Sequence, residues 1–130
     1  MSLGAALVLL IALQTKHLVA DYLFQTPYMF RNKGTYLHPG GLLHVLLHGA
    51  LTLGVLWVGV LGVAGTAWGV VAVVVIAEML VHYHIDWTKE FINKRNGLTP
   101  EMARFWHLQG LDQWLHQLTY VAMIAVLVGG

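Results

Sequence analysis

The chain has 130 residues, 58% hydrophobic and only 10% charged, with a mean hydropathy of +0.68 and a formal net charge of +1. A soluble domain carries about 25% charged residues, so the composition excludes an ordinary soluble fold and points to an all-α, multi-pass membrane protein. No cysteine is present, which removes disulfides and thiolate metal sites, and nothing in the charge balance calls for nucleic acid.

Four segments reach the roughly 20 residues needed to cross the hydrocarbon core. The first runs over residues 3–24 and stops before Pro27, because the residue preceding a proline disfavours the helical region. It lacks a basic leader and a small-residue cleavage site, so it reads as a span and not a signal peptide. The second, 41–61, follows the breaker Pro39-Gly40. A glycine-rich turn, Gly62 to Thr66, separates it from the third, 67–87, and Trp57 and Trp68 flank that turn as interface aromatics. Thr99-Pro100-Glu101 has the form of a helix start and predicts a short interfacial helix over 100–109. The fourth span is 111–128. The chain from 1 to 130 is thus expected to be one four-helix transmembrane domain.

Nearly all the charge lies in the two longer connections. Arg31 and Lys33 sit in one, and Lys89, Lys94, Arg95 and Arg104 in the other. The positive-inside rule places both loops in the cytoplasm and both termini on the non-cytoplasmic side. In a bacterial cell this is an inner-membrane, multi-pass topology.

Within this frame a His or Asp is followed four residues later by another, four times: His17/Asp21, His44/His48, His82/Asp86 and Asp112/His116. Residues four apart share one helix face. Each pair falls at the expected cytoplasmic end of its span, within roughly 5–15 Å of the interface. The first hairpin carries His17-Leu-Val-Ala-Asp21-Tyr22 and then His44/His48. The second carries His82-Tyr-His-Ile-Asp86-Trp87 and then Asp112/His116. The chain therefore reads as two pseudo-repeated helical hairpins related by an axis along the membrane normal.

Imidazole and carboxylate without sulfur suit Zn, Mn, Fe or Ni. We expect a divalent metal, Zn first with Mn and Fe as alternatives, as one or two ions. Four-helix bundles build di-metal sites from such inward pairs, and two close ions can drive an in-line phosphoryl displacement. Glu78, one turn deeper than His82, and Gln25, one turn beyond Asp21, are expected to support the ligands. Lys89 is expected to take an anionic group. The plain alternative is a buried His/Asp hydrogen-bond network that fixes helix packing. His38 and His107 read as surface residues, and His84 is out of phase with His82.

The stretches His17-Leu-Val-Ala-Asp21-Tyr-Leu-Phe-Gln25, His82-Tyr-His-Ile-Asp86-Trp-Thr-Lys89 and Asp112-Gln113-Trp-Leu-His116 resemble a family of small bacterial and phage membrane proteins, domain of unknown function 3307. The resemblance covers nearly the whole chain. It implies a multi-pass prokaryotic membrane protein and no particular activity.

Three functions compete. One is a metal-dependent hydrolase of a phosphorylated or lipid-like substrate. Another is a non-catalytic accessory subunit of a larger membrane complex, or of a homodimer, with the polar cluster as a staple. The third is ion or proton handling. The apolar outer halves of the helices argue against the last, because no continuous polar pathway crosses the chain.

Overall fold

The computed structural model describes residues 1–61 and 68–129. The expected glycine-rich turn at residues 62–66 lies outside them. Among the described residues the structure is helical without strands: α1 Leu3–Leu18, a π-helical turn Val19–Phe24, α2 Pro27–Asn32, α3 Pro39–Leu61, α4 Trp68–Asn96 and α5 Ala103–Gly129.

Local chemistry sets the ends. The Ser2 hydroxyl accepts from the Ala5 N–H and opens α1. Gln25 turns extended ahead of Pro27, while Thr26 caps α2 through the Met29 N–H with proline at the first helical position. This short helix was not expected from the sequence, although Thr26-Pro27 is its signal. Gly97, at φ +58, ends α4, and the Leu98 N–H returns to the Asn93 carbonyl. The expected helix over 100–109 is not a separate element. Residues 100–102 form turns, and Ala103 begins a helix that continues unbroken through residue 111 into α5. The Trp106 indole N–H, bonded to the Pro100 carbonyl at 2.7 Å, fixes this entry.

The long helices touch in the order α1–α3–α4–α5–α1, a ring in which α1 lies diagonal to α4. One end of the bundle is apolar. Leu9, Leu13, Leu56, Val71, Val74, Val75, Tyr120, Met123 and Leu127 pack there. The other end is polar inside: His44, His48, Glu78, His82, Asp86, Asp112 and His116 are all buried. Large apolar side chains cover the outside, among them Leu7, Ile11, Leu46, Val73, Ile76 and Val121, as for a bundle dissolved in lipid. Leu3–Phe24, Pro39–Val58 and Trp68–Asn96 are each long and apolar enough to span a membrane. α5 is as long, but Asp112, Gln113, His116 and Gln117 crowd its first half. The expected third span is also longer than 67–87, since α4 runs on to Asn96.

The connection after α2 folds back over the polar end. Leu37, at φ +57, gives its N–H to the Tyr83 hydroxyl at 2.6 Å. At Gly40 a Cβ would lie 2.7 Å from the Tyr28 carbonyl oxygen, a backbone atom that cannot step aside. Gly40→Ala is therefore expected to destabilise the fold by about 1–3 kcal/mol, read as a lower unfolding temperature in detergent. Gly54→Ala, with open space at its Cβ, is the neutral control.

Candidate metal centre

The polar end is organised around two aspartates. Asp21 lies in the π-helical turn, where the widened helix meets α3; such turns recur at functional sites. Its Oδ1 is 3.0 Å from His48 Nε2 and 3.2 Å from His44 Nε2, and its Oδ2 is 3.1 Å from His17 Nε2. Asp86 Oδ2 is 3.2 Å from His44 Nε2 and 3.4 Å from His82 Nε2, while its Oδ1 is 3.8 Å from His116 Nε2. His44 Nε2 and His82 Nε2 are 3.3 Å apart. The two halves echo one another: His17–Asp21 matches His82–Asp86, and His48–Asp21 matches His116–Asp86.

These separations test the fit of a metal. Ligands at about 2.0–2.1 Å from a tetrahedral ion stand roughly 3.3 Å from each other. Asp21, His44, His48 and His82 offer ligand atoms within 4.8 Å of one another, and so do His82, Asp86 and His116. The hydrogen-bond alternative accounts for His48, whose Nδ1 accepts from the Lys16 ammonium at 3.2 Å and whose Nε2–H then donates to Asp21 at 3.0 Å, but it fits the other rings less well. His44 Nε2 has Asp21, Asp86 and His82 atoms all within 3.3 Å, yet an imidazole N–H serves one acceptor. His44 Nδ1 and His82 Nδ1 have no hydrogen-bond partner at all among the described residues. At His116 the Nδ1–H donates to the Asp112 carbonyl at 2.8 Å. In the neutral ring that leaves Nε2 unprotonated, and Nε2 is likewise unpartnered.

Charge counting sharpens the point. Lys16 pairs with Glu78 at 2.9 Å, Lys33 with Asp86 at 2.7 Å and Lys89 with Asp112 at 3.6 Å. Asp21 is the fourth carboxylate of the cluster and, of these four, the one with no lysine or arginine in direct contact; three imidazoles surround it instead. A half-buried anion still calls for compensation, which a cation among those imidazoles would supply.

The model of the family described as a protein of unknown function, DUF3307, matches residues 8–129. The chain belongs to DUF3307. No curated protein and no solved structure matches it.

In this DUF3307 chain all eight expected ligands come to one end of the bundle, but not on equal terms. His17 contacts Asp21, and the Tyr120 hydroxyl holds its Nδ1 at 2.9 Å. Asp112 stands apart from both convergent groups, 3.8 Å from His116 Nδ1 and beside Lys89. The supporting roles differ from expectation. Glu78 is 4.0 Å from His82 Nδ1, too far to orient it, and binds Lys16 and Thr52 instead. The Gln25 amide donates to the Asp21 backbone carbonyl, not its side chain, because residue 25 has left the helix. Lys89 is held by Glu90 at 3.4 Å as well as Asp112, so it is not a free anion receptor.

Four residues at the cluster were not anticipated: Lys16, Lys33, Thr52 and Tyr120. A lysine inside an apolar span was a visible signal for Lys16. Lys33 carried none, since a loop lysine normally faces water. Outside the spans, the Thr99 hydroxyl holds the exposed Glu101 carboxyl below its ordinary range.

Proposed function

We propose that this chain is a four-span membrane protein whose His/Asp cluster holds one or two divalent ions, Zn first, near the cytoplasmic face of a bacterial inner membrane, and that the centre hydrolyses a phosphorylated or lipid-like substrate. The observation that supports the reading is Asp21: a half-buried carboxylate with no lysine or arginine in direct contact, facing Nε2 of His17, His44 and His48 at 3.0–3.2 Å.

The two ligand groups favour different roles. Asp21, His44, His48 and His82 make a closed set of four, the pattern of a structural ion. His82, Asp86 and His116 make a set of three, the pattern that leaves a position for water or substrate; the two groups share His82, one nitrogen of which can serve only one ion. Asp86 Oδ2 faces His44 and His82 and its Oδ1 faces His116, so this carboxylate would be available to an ion in either group. An ion in the open set would supply Lewis acidity and an activated water. The chain itself supplies the dry, buried surroundings and fixes the rings. α5 counts as the fourth span here because its Asp112 and His116 are buried at this end of the bundle, and its second half is apolar.

A second reading rests on the buried pairs Lys16–Glu78 and Lys33–Asp86. Side chains that tie α1 to α4 and the α2–α3 connection to α4 also suit a stapled accessory subunit in a larger complex or a homodimer.

Elemental analysis of detergent-purified protein separates the two. We expect one or two ions per chain in the wild type, and metal lost from His44→Ala and His48→Ala with insertion retained, since losing even a supporting partner costs about 10–100-fold in metal affinity. Wild-type protein without metal after reconstitution would overturn the hydrolase reading.

A further inference from the structure

The centre is sealed from most directions, since His44, His48 and His82 are each at most 1% exposed. A narrow cleft lined by Lys33, His44, His82 and Asp86 touches it but has no room for a water molecule; a roomier opening reaches it from the side. Between α1 and α5 lies a cavity of about 160 Å³ lined by Gln14, His17, Gln113, His116, Gln117 and Tyr120 among others. It opens sideways, on the face of two long helices, where lipid chains would lie. Gln14 and Gln117 are exposed there. Amide groups facing hydrocarbon are costly, and two of them on adjacent helices flank a single niche. At its inner wall His116 is 3% exposed, with the unpartnered Nε2 that belongs to the open ligand set.

The lining also selects chemistry. It contains three amides, two phenols, two imidazoles and one leucine, and no lysine or arginine. The nearest ammonium, Lys16, is committed to Glu78. Amides both donate and accept, so they complement an uncharged hydrogen-bonding group and offer no counter-charge to a phosphate. The volume suits one small headgroup and is far below what a helix of about 10 Å diameter requires. The larger cavity of about 500 Å³ between α4 and α5 is walled chiefly by leucine and isoleucine and meets the cluster only through Asp112, which Lys89 already holds.

We propose that the α1–α5 niche is a lateral binding site for the uncharged, amide- or ester-bearing headgroup of a membrane-dissolved amphiphile, which enters from the bilayer and presents its carbonyl toward His116. The proposal rests on the reading of the His/Asp cluster as the reacting centre and narrows its substrate from phosphorylated to neutral lipid-like compounds.

The test uses the full chain in phosphatidylcholine vesicles with a single-chain amide amphiphile carrying a diazirine beside the amide. After irradiation the labelled positions are mapped by mass spectrometry. Labels concentrated at Gln14, Gln113 and Gln117 are expected. In Gln14→Leu/Gln117→Leu they should fall about tenfold, the scale of one or two lost hydrogen bonds, with metal content unchanged. Labelling at these positions no stronger than at lipid-facing Leu46 and Val73, or undiminished in the double variant, would overturn the site. So would chain-to-chain cross-links through Gln14 and Gln117 that exclude the amphiphile, which would make the niche a protein contact. Metal content of the same preparation reports on the centre separately. Niche labelling in metal-free protein would uphold the site and sink the metal reading, while metal without niche labelling would do the reverse.

Discussion

Asp86→Ala should be among the most damaging single substitutions in the chain. Its carboxylate lies 2.7 Å from Lys33 Nζ and within 3.4 Å of His44 and His82 Nε2. Truncation strands a buried ammonium, and removing one partner of a buried pair costs about 3–5 kcal/mol. It also deletes the carboxylate that faces both ligand groups. The two losses are separable. In Asp86→Ala/Lys33→Met no buried charge is orphaned, so stability should return most of the way to wild type while metal occupancy stays low. Unfolding temperature in detergent and elemental analysis of the two variants read the two effects. If the double variant regained its metal, Asp86 would be a packing residue and the three-ligand set would be abandoned. If it stayed as unstable as the single variant, the damage would lie in the lost ligand and not in Lys33.

That Lys33 matters at all shows where sequence reasoning stops. The helices and the four His/Asp pairs are legible because they are local: a spacing of four residues declares a shared face, and a long apolar run declares a helix. The clustering follows from topology, since the four pairs fall at alternating ends of successive antiparallel helices. Partners across helices are tertiary facts. Nothing local tells that Lys33 turns inward from a connection, or that Lys89 is occupied by Asp112 and Glu90. The π-helical turn that presents Asp21 is equally silent, because Val19-Ala-Asp-Tyr-Leu-Phe24 is consistent with an ordinary α-helix. Pro100 misled for the opposite reason. Its position after Thr99 is a good helix start by propensity, but the chain spends residues 100–102 on turns and begins α5 at Ala103.

The same distinction governs Glu78, whose place one turn below His82 suggests a supporting carboxylate and whose contacts say otherwise. Glu78 is 1% exposed and Lys16 5%; they meet at 2.9 Å across the diagonal of the bundle, and the Thr52 hydroxyl donates to the other carboxylate oxygen at 3.2 Å. Glu78→Leu alone leaves the Lys16 ammonium in a dry interior without a carboxylate partner, with His48 Nδ1 3.2 Å away and the Tyr120 ring centroid at 5.0 Å, and should cost about 3–5 kcal/mol. Replacing both partners by apolar residues of similar volume, Lys16→Met/Glu78→Leu, removes the orphan, and such replacements are often neutral or stabilising by about 1–4 kcal/mol. The double variant is therefore expected to unfold at or above the wild-type temperature and to keep its metal, since neither residue belongs to a convergent ligand group. Stability regained with metal lost would show instead that the Glu78–Lys16–His48 chain holds the ligand rings for the ion. The pair would then belong to the centre and not to the fold.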